Sequence, residues 1–267
     1  MFSSMLELFI IGSLAGLFAG FLGVGGGVII IPVMLIYLES IIPEKYLYLV
    51  VSTIALSVAF TSSIFGSVRH IKNKNLYNHT LLPIAIGSVL GAIPGSIVSE
   101  LISTGKLKAI LSIIIVFVSI KMLRPPKKCI ENGKIVDYPP YLFLIGFLVG
   151  VFSSLTGLGG GVIFVPVLTT YFLFNPKKAA GTSGFIMMFN TLPAIIYRVV
   201  VPKGVDLPLY SVGYFIPEII LPTIGGTAIF AQVGAQINHK ISPNKFRVVA
   251  ALIFFILAVR TTYSAFF

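Results

Sequence analysis

Residues 20–32 (GFLGVGGGVIIIP) and 154–166 (SLTGLGGGVIFVP) each hold four glycines within five positions: Gly23, Gly25, Gly26 and Gly27, then Gly157, Gly159, Gly160 and Gly161. Glycine in a helix interior costs about 1 kcal/mol relative to alanine, so such a cluster marks backbone that unwinds or turns between two half-helices. A half-helix starting just past each cluster, near Val28 and Val162, opens with amide hydrogens that have no intrahelical acceptor. Its N-terminus carries about half a positive charge, and glycine lets an anion approach the backbone closely. Two such ends brought together make an anion site walled by Gly25, Gly26, Gly27, Gly159, Gly160 and Gly161. The competing reading is close helix packing on small residues, and it suits Gly12, Gly16 and Gly20. Nucleotide loops are excluded, because no Lys-Ser/Thr pair follows the glycines and no strand context precedes them.

A second set of polar residues lies inside apolar runs. Asn190 offers an amide that could donate to an oxyanion or bond a neighbouring helix. Ser52, Thr53, Thr182 and Ser183 occupy repeated positions; their hydroxyls could face a ligand or bond the carbonyl one turn back. Glu218 lies between Pro217 and Pro222, where an ionised carboxylate is expensive unless paired or wet. His79 is its counterpart in the first half. The two are candidates for ion coupling, with interfacial helix ends as the plainer reading. Arg69 and Arg198 end corresponding runs, as topology anchors or as recruiters of anions. Gln232 and Gln236 share a helix face, as glue between helices. No nucleophile is paired with a base, Cys129 stands alone, and no His/Cys cluster has metal-ligand spacing.

The elements carrying these residues are membrane helices. The chain of 267 residues is 57% hydrophobic and 10% charged, against about 25% charged in a soluble domain. Its net charge of +11 comes from basic residues clustered between apolar runs, a membrane-loop pattern that excludes nucleic-acid binding. Apolar runs fall at roughly 6–38, 46–68, 80–104, 107–123, 141–174, 179–201, 209–237 and 246–267. The first and fifth would each extend about 50 Å as straight helices, well beyond the ~30 Å of hydrocarbon, so each must break. The N-terminal run has no basic leader and carries Glu7, which argues against a signal peptide. The expected fold is all-α, a polytopic transmembrane bundle of two homologous halves, 1–120 and 141–267, joined by a Pro- and Lys-rich linker, 121–140.

Shifting the chain by 134 residues superimposes Gly12, Gly16, Gly23, Gly25, Gly26, Gly27 and Pro32 on Gly146, Gly150, Gly157, Gly159, Gly160, Gly161 and Pro166. A shift of 139 residues matches Pro83, Gly87 and Gly95 with Pro222, Gly226 and Gly234. If the chain reverses at the glycines, each half crosses the bilayer an odd number of times and the repeats are inverted. That arrangement also gathers most Lys and Arg on one side, placing the linker in the cytoplasm and both termini outside.

The doubled G-x-G-G-G-x-x-x-x-P element, together with Gly181-Thr182-Ser183, resembles the TauE/SafE family of membrane permeases, the sulfite exporter family. The first half departs from the second, with Val51-Ser52-Thr53. The resemblance implies transport of small anions, often sulfur oxyanions or organosulfonates, across a bacterial inner membrane. The expected activity is that of a secondary transporter working by alternating access, coupled to a proton or sodium gradient or driven by the substrate gradient itself. It needs no cofactor and no metal. An anion channel and an intramembrane enzyme are the alternatives.

Overall fold

A computed structural model describes residues 2–72, 78–123, 139–201 and 204–240, with isolated helical positions between 248 and 259. Cys129, most of the linker and the His79 side chain lie outside the described residues.

The first half runs through α1 (Phe2–Leu22), α2 (Gly27–Leu38), α3 (Glu44–Lys72), α4 (Asn78–Leu101) and α5 (Thr104–Leu123). The second runs through α6 (Pro139–Thr156), α7 (Gly161–Pro166, continued by a wider turn at Val167–Tyr171), α8 (Pro176–Val200) and α9 (Pro217–Lys240). No strand occurs among the described residues, only an isolated bridge between Val212 and Phe215. Both long apolar runs break at their glycines, leaving the short helices α2 and α7.

Among the described residues, six helices are long and apolar enough to cross a bilayer. They are not equivalent. The apolar window of α3 is 83% buried, whereas α4, α6, α8 and α9 are each 44% buried, so α3 forms the core and the others give half their surface to lipid. Leu82, Leu101, Ile113 and Phe117 are among the large apolar side chains exposed on that outer surface. In water such a belt would aggregate; in hydrocarbon it is the solvated face.

Two tight helix pairs tie the halves together, and in each pair the first helix of one half meets the fourth of the other. Gly12, Gly16 and Gly20 of α1 press on the backbone of Thr223, Thr227 and Ala231 of α9, while Gly226 and Gly234 of α9 press on Phe9 and Leu17 of α1. Gly146 and Gly150 of α6 press in turn on Ile84 and Ser88 of α4, and Gly87, Gly91 and Gly95 of α4 press on Phe143, Phe147 and Val151 of α6. At most of these positions an added Cβ would overlap backbone atoms, so glycine sets the helix separation. Exchanging the halves maps one set of contacts onto the other. Positions rise together along both members, making α1 parallel to α9 and α4 parallel to α6.

The seventh apolar run departs from expectation. Helix α9 begins only at Pro217, and residues 204–216 form a loop in which Gly204 and Gly213 have φ of 69° and 59°. Pro208 and these left-handed glycines stop a helix despite the apolar composition.

Candidate functional site

The site is built on the two interruptions. Helix α2 starts from Gly26 at φ 71° and α7 from Gly160 at φ 86°, and neither start has a side-chain cap. Gly23, Gly25, Gly157 and Gly159 are also left-handed, with φ of 68°, 87°, 76° and 77°. An L side chain is disfavoured there, so these turns require glycine. The first one folds the chain back: a Cβ on Gly26 would lie 3.1 Å from the Ala15 carbonyl oxygen and 3.3 Å from the Ala19 Cβ. A helix continuing straight would carry Gly26 about 16 Å beyond Ala15.

The turns meet each other. A Cβ on Gly27 would lie 3.0 Å from the Gly157 carbonyl oxygen and from the Leu158 Cα; one on Gly161 would lie 2.5 Å from the Val24 Cα and 2.6 Å from the Gly23 carbonyl oxygen. Ala59 of α3 and Met187 of α8 both pack against Gly25 and Gly159, bridging the two turns.

Helices α3 and α8 supply the hydroxyls and the amide. Ser183 donates to the Gly23 carbonyl at 3.0 Å. Asn190 donates from Nδ2 to Ser153 Oγ at 2.6 Å and to the Gly159 carbonyl at 3.4 Å, leaving its buried Oδ1 without a partner. Ser52 packs directly on Gly157, but its hydroxyl and that of Thr53 donate to the Leu49 carbonyl at 3.0 and 2.7 Å. Both hydroxyls thus bond back within their own helix. Thr182 is fully buried beside Ser183. Glu218 sits apart from this buried group, exposed in the first turn of α9 where a carboxylate suits the helix dipole.

Arg198 is the residue that sequence reasoning undervalued. A topology anchor would be exposed, whereas Arg198 has no exposed surface and is the largest of the fully buried side chains. It donates to the carbonyls of Leu49 at 3.2 Å and Ser154 at 2.9 Å, and to Ser99 Oγ at 3.1 Å. Tyr48, also buried, donates to the Thr156 carbonyl at 2.9 Å. Both side chains thus satisfy carbonyls at the C-terminal end of α6, on the approach to Gly157. The signal was present in helical phase: Ser183, Met187, Asn190, Ala194 and Arg198 recur at intervals of three and four on one buried face. At the corresponding end of α1, Asn238 caps the Phe21 carbonyl at 2.6 Å, so the second turn alone is bordered by a described buried cation.

Comparison with known proteins agrees with this architecture. The family model described as "Sulfite exporter TauE/SafE" matches residues 8–261. "Probable membrane transporter protein" of Haemophilus influenzae is 29% identical over 97% of this chain and 98% of its own length. "Probable membrane transporter protein YunE" of Bacillus subtilis is 25% identical over 99% of both, and "Probable membrane transporter protein MJ0441" of Methanocaldococcus jannaschii is 26% identical over 92% of this chain and 91% of its own length. No solved structure matches the chain. A multi-pass helical bundle matched over nearly its whole length by that family model is a membrane transporter, and the chain belongs to the sulfite exporter TauE/SafE family.

Proposed function

We propose that the protein is a secondary transporter of a small anion, a sulfur oxyanion or organosulfonate, working by alternating access of two oppositely oriented halves. The observation that carries the reading is the meeting of the two glycine turns, each starting an uncapped helix from a left-handed residue. Paired helix N-termini and bare amides favour negative charge inside a low-dielectric bundle. Irregular backbone at membrane depth is tolerated only where protein or a wet cavity surrounds it.

Opposite orientation is supported by α3 and α8, which are equivalent elements of the two halves. Leu49 of α3 meets Arg198 near the end of α8, while Ser67 near the end of α3 lies beside Gly184 near the start of α8. They run antiparallel, as inverted repeats require. The name of the matched family supports a sulfur oxyanion substrate, and its bacterial relatives support a bacterial cell-membrane location.

The test is counterflow of labelled anion in proteoliposomes, preceded by a thermal-shift screen against sulfite, thiosulfate, sulfoacetate, taurine, carboxylates and chloride. Saturable exchange without net current is the expected result. Large recordable current would instead indicate a channel, consumption of the anion without movement an enzyme, and absence of binding across the whole panel would remove the anion reading.

A further inference from the structure

The lipid-facing surface between α4 and α8 carries a groove that the transport site does not use. It has a volume of about 380 Å³ and runs between Leu82, Ile86 and Leu90 of α4 and Phe185 and Phe189 of α8, with the buried Ala85 at its base. Every side chain lining it is apolar, so a water molecule would find no side-chain hydrogen-bond partner there. Leaving it empty forfeits dispersion contacts along both walls. Leu82, Ile86, Leu90 and Phe189 are exposed, which makes the groove part of the outer belt, and hydrocarbon is the solvent that reaches it. A straight chain can lie along its length, whereas a helix about 10 Å across would reach in only with single side chains.

The two ends of the groove differ in charge. Residues 82–90 meet 185–189 and Glu100 meets Tyr197, so α4 and α8 run parallel. Leu82 opens the apolar span of α4 and Lys177 that of α8, which brings one end of the groove to the membrane surface beside two lysines. Phe185 and Phe189 follow Lys178 by 7 and 11 residues. Those separations return to within about 20° of the same helix face. Lys178 therefore stands on the groove's own stripe, about 10 Å nearer the start of α8. Lys177 adjoins it, and both are partly exposed. The positive end of the α8 dipole adds to the two ammonium charges. At the other end Glu100, an acid, is partly exposed, and Arg198 has no exposed surface.

We propose that this groove binds one acyl chain of an anionic phospholipid whose phosphate headgroup is held by Lys178 and Lys177. Basic residues at the edge of a cleft between transmembrane helices take phosphate headgroups in this way. The site does not depend on the transport reading; it requires only that the chain spans a membrane. Because α4 belongs to the first half and α8 to the second, the bound lipid bridges the two halves along their lipid-facing seam.

The test is retention of lipid by the purified full chain in an uncharged detergent, measured by native mass spectrometry with dioleoyl phosphatidylglycerol and dioleoyl phosphatidylcholine. The two lipids carry the same chains and differ in net headgroup charge. One lysine at a membrane surface favours an anionic headgroup about fivefold, so the wild type should hold phosphatidylglycerol at least about fivefold more tightly than phosphatidylcholine. Lys178→Gln should lower that preference about fivefold and leave phosphatidylcholine binding unchanged. Val89→Phe, which fills the groove from α4, should weaken both lipids alike in protein that remains folded by thermal melt.

Equal retention of the two lipids by the wild type would overturn the headgroup assignment, as would an undiminished preference in Lys178→Gln. That variant changes a partly exposed residue and decides the matter even where the groove variant fails to fold. Wild-type retention of both lipids by folded Val89→Phe would remove the acyl chain from the groove. A disulfide joining Leu90→Cys in two copies, each also carrying Cys129→Ser, would give the groove to a second copy of the protein instead.

Discussion

Asn190 bonds the backbone of the second glycine turn through the Gly159 carbonyl. Gly160 is left-handed, and a Cβ there would lie 3.0 Å from Asn190 Nδ2. Gly160→Ala therefore carries a backbone penalty of about 1–2 kcal/mol and pushes the amide away from the turn. A lower melting temperature in a chain that still folds, with reduced anion affinity, is the expected outcome of parallel thermal-shift and binding measurements. Wild-type affinity would place the anion away from the turns. Asn190→Ala removes the bonds to Ser153 and Gly159 and strands the Ser153 hydroxyl, at a cost of roughly 1–3 kcal/mol. Tyr214, in the loop after α8, gives a pH signature. Burial, and secondarily the Glu100 carboxylate, push its hydroxyl up to about 12, opposed by Arg198. The unfolded chain then loses this proton first, near pH ~10. Stability is fully present below that point and declines as pH rises through the folded value. Tyr214→Phe should show a shallower alkaline decline between those limits in a pH series of thermal melts.

At the scale of elements, the glycines divide by what they touch, and this sorting was only partly legible in the chain. Gly12 and Gly16 read as packing glycines from their spacing, and so they are. Their partner helices were not readable, because repeat offsets align equivalent positions without saying which elements meet. Nor did composition distinguish the apolar loop at 204–216 from the helix that follows. The breaks at Gly23–Gly27 and Gly157–Gly161 were legible, since repeated helix breakers in overlong apolar runs leave few alternatives. Arg198 was missed because a basic residue ending an apolar run ordinarily faces the headgroups; its burial depends on Leu49, Ser99 and Ser154 arriving from three other helices. Packing roles can be tested by a contrast. A Cβ at Gly16 would lie 2.7 Å from the Thr227 Cα and carbonyl oxygen, so Gly16→Ala must part α1 from α9 and should destabilise the protein by about 1–3 kcal/mol. At Gly105, exposed in the first turn of α5, a Cβ meets nothing within 4 Å, and Gly105→Ala should be neutral or stabilise by up to about 1 kcal/mol. Equal melting temperatures for the two variants would deny the glycine contacts their part in holding the halves together.

For the whole molecule, the halves interlock through exchanged partners, α1 with α9 and α6 with α4. Neither half retains those contacts alone, and any movement of one half must carry an element of the other. The alternating access proposed above, a rocking of the halves about the meeting point of the glycine turns, requires that they face opposite sides of the membrane. That orientation decides where two probes must lie. Between the native Cys129 in the linker and Tyr210 in the loop before α9, the chain passes through α6, α7 and α8. If α6 and α7 form a returning pair, only α8 crosses fully, and the two positions face opposite sides. If α6 and α7 make one continuous crossing, α8 returns the chain and both positions face the same side. Tyr210 is 72% exposed, so a cysteine there should be tolerated. A membrane-impermeant maleimide added to intact cells should spare Cys129 and label Tyr210→Cys in a chain that also carries Cys129→Ser. Inside-out vesicles should give the reverse pattern. Labelling of both positions from one side would rule out the inverted arrangement, and with it alternating access by oppositely oriented halves, while leaving the contact of the glycine turns untouched.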